Sequence, residues 1–87
     1  MPRVFIPAPA RDLTGGVDCV DVDAGSVRHV IDRLEEQYPG MRDRLCEDDD
    51  LKPGMRVAVD GHVSSMGLLA RVEPDSEVHF LPAIGGG

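Results

Sequence analysis

The sequence predicts an α+β domain in which a mixed sheet of four to five strands is covered on one face by one main helix. Three observations lead to this fold class. The chain has 87 residues, which is enough for one domain and one small core. Segments rich in β-branched residues lie toward both ends, and one long amphipathic stretch lies between them. Turns that contain proline or glycine separate these segments.

The first two strands are predicted at residues 3–7 and 17–22. Val, Phe and Ile favour extended structure in the first strand, and Pro7 ends it because proline cannot donate to a ladder. Thr14-Gly15-Gly16 marks a turn, so the two strands form a hairpin with a long loop. Alternation in the second strand favours one inner set: Val17, Cys19 and Val22, with Val20 a less clear member.

One clear helix follows the hairpin. Ser26 is a plausible N-cap, whose hydroxyl can accept from the free amides of the first turn. The pair at 39–40, Pro-Gly, stops the helix, and a short second helical turn is predicted at 41–46. An apolar stripe with helical spacing has these members: Val27, Val30, Ile31, Leu34 and Tyr38.

The remaining strands lie in the second half of the chain. Residues 47–50 form a charged loop, and a strand at 55–59 runs into Asp60-Gly61, a strong two-residue hairpin signal. A short return strand follows at 62–63. Residues 64–72 are irregular, with Leu68 and Leu69 expected to pack inward. The last strand covers 77–81.

The order of these elements is strand, strand, helix, strand, short strand, strand. A right-handed crossover would place the last long strand beside the first and parallel to it. The predicted architecture is therefore a β-grasp (ubiquitin-like) fold, with residues 1–81 as the domain.

Composition limits the partners and the location of the chain. The formal net charge is −7, which argues against a nucleic acid or an anionic membrane as the main partner. No apolar run approaches the ~20 residues that span a bilayer, so a cytoplasmic protein is expected.

Cys19 and Cys46 are interpreted as reduced, mostly buried thiols. No metal or cofactor site is predicted, because nothing in the spacing brings His29, His62 and His79 together.

The C-terminal segment, residues 82–87, is predicted to be a flexible tail that ends in glycines. Pro82 should terminate the last strand, and the tail can reach ~20 Å at ~3.3–3.6 Å per residue. A thin tail could enter a narrow channel in another protein, where the carboxylate of Gly87 is the one distinctive chemical group. Adenylation would make that carboxylate an electrophile. The chain has no nucleotide-binding glycine motif, so Mg-ATP must be supplied on a partner.

Taken together, the chain resembles the ubiquitin-like sulfur carriers of the MoaD/ThiS type, which include the small subunit of molybdopterin synthase. The resemblance covers essentially the whole chain, and the terminal glycines are its most specific part. The single Pro82 and the turn at 73–76 depart from the common family pattern, so the resemblance does not assign one pathway. It rests on these segments: 4–6, Ala8, 11–13, Gly15-Gly16, Tyr38-Pro39, 57–61 and 77–82.

The resemblance implies a mechanism. A ubiquitin-activating-like adenylyltransferase would adenylate Gly87, a sulfur donor would convert the acyl-adenylate to a thiocarboxylate, and an acceptor enzyme would take the sulfur. That acceptor would be the molybdopterin synthase large subunit or an enzyme of the cysteine synthase type. The carrier would be a protein cosubstrate, not itself an enzyme, although it could act as the small subunit of a synthase, and it would be a monomer when free. Partner-binding positions by resemblance are these: Pro7, Leu68, Leu81, Pro82, Ala83, Ile84, Gly85 and Gly86.

Two other functions remain open from the sequence. A ubiquitin-like modifier would use the same adenylate and transfer its C-terminal glycine to a lysine. A non-catalytic binding module would carry the glycine tail incidentally. The composition and the motifs do not separate these alternatives from a sulfur carrier.

Overall fold

The structure, a computed structural model, describes residues 1–81. A five-stranded mixed sheet has the order β2-β1-β7-β5-β6, and a separate two-stranded hairpin joins β3 to β4. The strands are β1 Arg3–Phe5, β2 Cys19–Asp21, β3 Cys46–Glu47, β4 Asp50–Leu51, β5 Arg56–Val59, β6 His62–Val63 and β7 Glu77–Leu81. The α-helices are α1 Val27–Gln37 and α2 Met41–Leu45, and two 3₁₀ segments cover Ala8–Thr14 and Gly67–Leu69.

The predicted β-grasp topology is confirmed. Strand β1 pairs antiparallel with β2 and parallel with β7, as the right-handed crossover through α1 requires. Strand β5 pairs antiparallel with both β6 and β7. The last strand therefore lies at the centre of the sheet, with β1 on one side and β5 on the other.

Helix α1 begins and ends where the sequence predicts. The Ser26 hydroxyl accepts the backbone N–H of His29 at 3.2 Å, and the helix ends at Gln37, before the Pro-Gly pair. Its buried side chains are Val27, Val30, Ile31 and Leu34. They pack against Val4 and Val78 on the inner face of the sheet, within one core. Glu35 accepts the backbone N–H groups of Gly40 and Arg42 and so fixes the start of α2.

The second strand differs from the prediction in its length and in which of its side chains face the core. It is only three residues long, and Val17, predicted to face inward, is 43% exposed. Val20 pairs with Val4 and packs on the core, whereas Cys19 pairs with Phe5 on the other face. A shift of one residue moves every side chain to the opposite face of a strand, so the choice of Cys19 as an inward residue is wrong.

Two further segments differ from their predictions. The charged loop at 47–50 contains the tight β3–β4 hairpin, with Asp48 and Asp49 at its turn in the left-handed region. Leu68 is buried as predicted, but Leu69 is 70% exposed, because neighbouring residues of a 3₁₀ turn point to different sides.

Among the described residues, no helix combines the length and the apolar character that a membrane span needs.

Candidate functional site

The predicted site lies at the end of β7. Gly87, with Gly86, Gly85, Ile84, Ala83 and Pro82, falls outside residues 1–81. Leu81 is the last described residue, and it pairs with Arg56 at the start of β5. The six C-terminal residues therefore follow directly from the central strand of the sheet, which fixes where the predicted tail leaves the domain.

A network of arginine contacts holds the first loop at this same end of the sheet. Arg11 Nε donates to the carbonyl of Ile6, at the end of β1, at 3.0 Å. Arg44 of α2 donates to both carboxylate oxygens of Asp12, at 2.6 and 2.8 Å, and also to the carbonyl of Pro9 at 2.7 Å. The hydrogen bond from Arg44 lowers the pKa of Asp12, and the same bond raises the pKa of Arg44. The loop beside the end of β7 is thus tied to α2.

The three predicted docking residues within the described chain differ in exposure. Pro7 and Leu68 are buried, and Leu81 is 39% exposed. Leu68 lies beside α1, at an open cleft of about 250 Å³ that Ile31 and Cys46 also line, on the helix side of the sheet. An exposed apolar patch of these three residues is therefore not present in residues 1–81, which corrects that part of the expectation. Their roles in partner binding stay a prediction.

A different apolar surface crosses the sheet on the face that α1 leaves open. In-register pairs join neighbouring strands: Phe5 with Cys19, Phe5 with His79, His79 with Ala58, and Ala58 with Val63. We call these five residues, Cys19, Phe5, His79, Ala58 and Val63, the central row. It contains one residue from each strand of the sheet and runs from one edge to the other.

The centre of this row is an aromatic pair. The rings of Phe5 and His79 stack, with 4.1 Å between centroids and 6° between ring planes. Both side chains are half-buried, Ala58 is buried between the neighbouring strands, and Val63 at the edge is 54% exposed. No helix covers this aromatic pair, and partly exposed apolar side chains on an open sheet face often mark an interaction surface.

The charges that flank the central row cancel. Alternation along the strands places Arg3, Asp21, Glu77 and Arg56 on the same face. Arg3 Nε and Asp21 Oδ1 are 3.4 Å apart. Two bases thus face two acids on a chain whose net charge is −7. These four residues contribute no net charge, so the charge of −7 is carried by residues outside this set.

The sequence did not reveal this row as a site. Phe5 and Val63 are ordinary strand residues, and their meeting with His79 and Cys19 depends on the strand order. The usable signal was the predicted parallel pairing of the first and last strands, which places residues near the two ends of the chain side by side.

Both cysteines are free and half-buried, which makes them less buried than predicted. Loss of solvation raises the pKa of the Cys19 thiol and that of the Cys46 thiol. A raised pKa reduces the thiolate fraction, which is the nucleophilic form. Neither cysteine therefore resembles an activated nucleophile.

Metal-binding side chains do not converge in the part of the chain that the structure covers. No group of three or more His, Cys, Asp or Glu residues there could hold an ion. The histidines lie on α1, β6 and β7, and His79 belongs to the central row.

Comparisons with known proteins agree on one family. A sequence model of the ThiS family matches residues 4–87. A chain from the crystal structure of the Amycolatopsis orientalis BexX/CysO complex is 31% identical, with a TM-score of 0.92 and 100% of both chains covered. Mycobacterium tuberculosis CysO, described as an antigen, is 28% identical, with a TM-score of 0.87 over 97% of this chain and 100% of that one.

A more distant structure shares the fold. Small archaeal modifier protein 1 from Methanosarcina acetivorans is 21% identical, with a TM-score of 0.81 over 99% of this chain and 95% of that one. A search of curated proteins found no match. The resemblance to ubiquitin-like sulfur carriers is thereby confirmed. The match from residue 4 to the last glycine, together with the five-stranded topology, shows that the chain belongs to the ThiS family, whose members are small carrier proteins.

Proposed function

We propose that this chain carries sulfur as a thiocarboxylate on Gly87. A ubiquitin-activating-like enzyme, which binds the Mg-ATP, joins the carboxylate to AMP. A sulfur nucleophile then displaces AMP and leaves the C-terminal thiocarboxylate. An acceptor enzyme takes the sulfur, and the carboxylate is restored. The observation that supports this proposal most is that the family match extends through residue 87 and so includes the terminal glycines.

In this proposal the chain is a cosubstrate, and its own residues present one group to two enzymes. Strand β7 pairs with β1 up to His79 and with β5 up to Leu81, so its pairing with β5 fixes the origin of the tail. Pro82, Ala83 and Ile84 line the approach to each partner, and Gly85 and Gly86 carry no side chain that would block a narrow channel. The chemistry requires no nucleotide site or metal site in this chain.

We propose the central row as the docking surface for the activating enzyme. Its aromatic centre and the exposed Val63 provide apolar area, and the balanced charges beside them avoid a large cost of removing unpaired charge from water. Acidic residues elsewhere on the surface favour a partner with a basic rim, because opposite charges accelerate encounter. Leu81 joins this surface to the tail.

The proposal also specifies the type of enzyme that takes the sulfur. Two structural neighbours are named CysO, and this similarity favours an acceptor enzyme of the cysteine synthase type over the molybdopterin synthase large subunit. We place the chain in the cytoplasm, as a free monomer. Conjugation to lysines of other proteins would begin with the same adenylate and is the competing outcome of the test.

Deletion of Gly86 and Gly87 tests the proposal against a simple binding module. The shortened chain should still bind the activating enzyme through the open face, but it should no longer support ATP–pyrophosphate exchange or sulfur transfer. The matched control is deletion of Met1, which precedes β1 at the end of the sheet opposite to Leu81. Unchanged sulfur transfer by the shortened chain would refute the carrier function, and lysine-linked adducts without a thiocarboxylate would identify a modifier.

A further inference from the structure

An open groove of about 440 Å³ runs beside β6, the edge strand that pairs with β5. Two of its apolar side chains are more than half exposed, Val63 at 54% and Met66 at 58%. Its charged or titratable members are His62 and Arg71. We define the β6 groove by six of its lining residues: Val59, His62, Val63, Met66, Ala70 and Arg71.

The backbone of β6 leaves hydrogen-bonding groups free at the edge of the sheet. The Ser64 N–H donates to the carbonyl of Val57 at 2.9 Å, and Val63 is the register partner of Ala58. Bonding directions alternate along an antiparallel strand, so the N–H and the carbonyl of Val63 point away from β5. Neither group has a hydrogen-bond partner in the part of the chain that the structure describes. Such an edge can accept one more strand.

Arg71 offers a positive charge to a molecule that enters the groove. Its backbone is held beside the start of α1, because Arg71 forms a bridge with Ser26 and the neighbouring Ala70 carbonyl accepts the N–H of Val27 at 3.0 Å. The Arg71 side chain is exposed, and no carboxylate within residues 1–81 forms an ion pair with its guanidinium. A guanidinium presents a planar set of N–H donors that matches the two oxygens of a carboxylate.

Among the described residues that line the groove, none is acidic, although the chain has 16 Asp and Glu residues. Asp60, two residues before His62, directs its carboxylate toward the start of β7, where it accepts the Ser76 hydroxyl and the Glu77 N–H. A carboxylate that entered the groove would therefore meet Arg71 without an acidic side chain in the lining itself. This charge pattern favours an acidic occupant over a basic one.

The groove lies away from the end of β7 that leads into the tail. Val59 pairs with Val78, near the start of β7, whereas Leu81 pairs with Arg56 at the other end of β5. The three-residue step from Val78 to Leu81 spans about 10 Å. The groove is therefore a separate contact region from the end of β7.

We propose that the β6 groove binds an extended segment of a partner protein, which pairs with the free edge at Val63, places a carboxylate against Arg71 and packs an apolar side chain on Met66. Side chains two positions apart in an extended segment share one face, so the recognised pattern is an apolar residue two positions from Glu or Asp. One short strand provides few backbone bonds, so the two side-chain contacts supply the specificity. The inference goes beyond the carrier chemistry, because binding here requires neither ATP nor the Gly87 carboxylate.

The probe is the peptide Ser-Val-Thr-Glu-Thr-Val-Ser, titrated into the isotope-labelled full chain and followed by NMR. We expect the amide resonance of Val63 to shift and its hydrogen exchange to slow, because this N–H gains a partner. The same peptide with Gln in place of Glu should bind at least about threefold more weakly, as the loss of an exposed ion pair predicts. The amide spectrum also reports whether each variant of the chain is folded.

Substitutions in the chain separate the two side-chain contacts. Arg71→Glu should remove the preference for Glu over Gln in the peptide, and a peptide with Lys at that position should bind this variant more tightly than it binds the parent. The matched control is Arg28→Glu, which reverses the charge of an exposed arginine on α1. Met66→Ser should weaken binding, whereas Leu69→Ser should not, because Leu69 is 70% exposed and lies outside the lining.

Three results would overturn the inference: an unmoved Val63 amide at millimolar peptide, equal affinities of the Glu and Gln peptides for the parent, or equal effects of Arg71→Glu and Arg28→Glu. Because these measurements use no activating enzyme, such a result leaves the sulfur-carrier proposal in place. A failure of sulfur loading, in turn, would leave the peptide binding unaffected.

Discussion

The ring of His79 lies nearly flat on the ring of Phe5 across the β1–β7 pair, with 4.1 Å between centroids. These residues are far apart in the sequence, and the parallel register of the two strands brings them together. Parallel stacking buries apolar area on both rings. The part of each ring that remains exposed is available to a partner. The pair marks the centre of the face that we assign to docking.

Replacing Val63 with Asp should weaken binding to the activating enzyme. Val63 is 54% exposed at the edge of the central row, so the change should leave the domain folded while placing a charge in an apolar contact. We expect the Kd to rise by about tenfold or more, measured by calorimetry or titration. The control is Leu69→Asp, which changes an exposed residue of the second 3₁₀ segment. Equal effects of the two variants would contradict the assignment of the docking face.

The two cysteines provide a footprint of the same surface. Cys19 belongs to the central row, whereas Cys46 lies beside α2 at the cleft on the helix side. Alkylation of both thiols should be slow at neutral pH, because loss of solvation raises both pKa values. Saturating activating enzyme should slow the labelling of Cys19 and leave Cys46 unchanged, as read by peptide mass spectrometry. Protection of Cys46 alone would place the partner on the other side of the sheet.

Asp60 should make stability depend on pH. Its carboxylate accepts the backbone N–H of Glu77 at 2.9 Å and the hydroxyl of Ser76 at 2.7 Å, and these contacts lower its pKa from 3.8, with the Glu77 bond the larger cause. Because the pKa of Asp60 is lower in the folded state than in the unfolded state, its carboxylate stabilises the fold at pH values above the unfolded-state pKa. This stabilisation is lost as the pH falls through the folded-state pKa.

The matched variant is Asp60→Asn, which tolerates the φ of 52° at this turn but cannot ionise. Urea unfolding at neutral pH should show that the variant is less stable than the parent. The difference should shrink as the pH is lowered below 3.8. Two stability curves that remain parallel over this range would show that the Asp60 carboxylate does not contribute in this way.

Loss of the helix cap should destabilise the domain without affecting the carboxylate chemistry. Ser26 accepts the His29 N–H at the start of α1, so Ser26→Ala should cost about 1 kcal/mol. Ser26→Asp, which restores an acceptor, should recover most of that loss in chemical denaturation. Sulfur loading of both variants should match the parent at temperatures where they are folded. A loading defect in folded Ser26→Ala would mean that the helix start contributes to partner recognition.

Local patterns in the sequence were sufficient for much of the fold. The apolar stripe and the cap at Ser26 located α1, and Asp60-Gly61 located the β5–β6 turn, because each signal depends on residues close together in the chain. The crossover rule then placed β7 beside β1. These predictions succeeded because local propensity and topology led to the same arrangement.

The features that the sequence did not reveal depend on contacts between distant segments. Cys19 and Val20 are both apolar neighbours in a short strand, and only the pairing with β1 decides which of them faces the core. Leu68 and Leu69 differ in exposure because the second 3₁₀ segment packs against α1 and β4. The central row has the same origin, since it requires five strands in register.

The most direct test of the central claim is the intact mass of the chain after incubation with Mg-ATP, a sulfur donor and the activating enzyme. The account predicts a mass increase equal to replacement of one oxygen by sulfur, located at Gly87 and absent when Gly86 and Gly87 are deleted. An unchanged mass, with an enzyme that loads sulfur onto another carrier in the same mixture, would contradict the claim that this chain is a carrier for that enzyme.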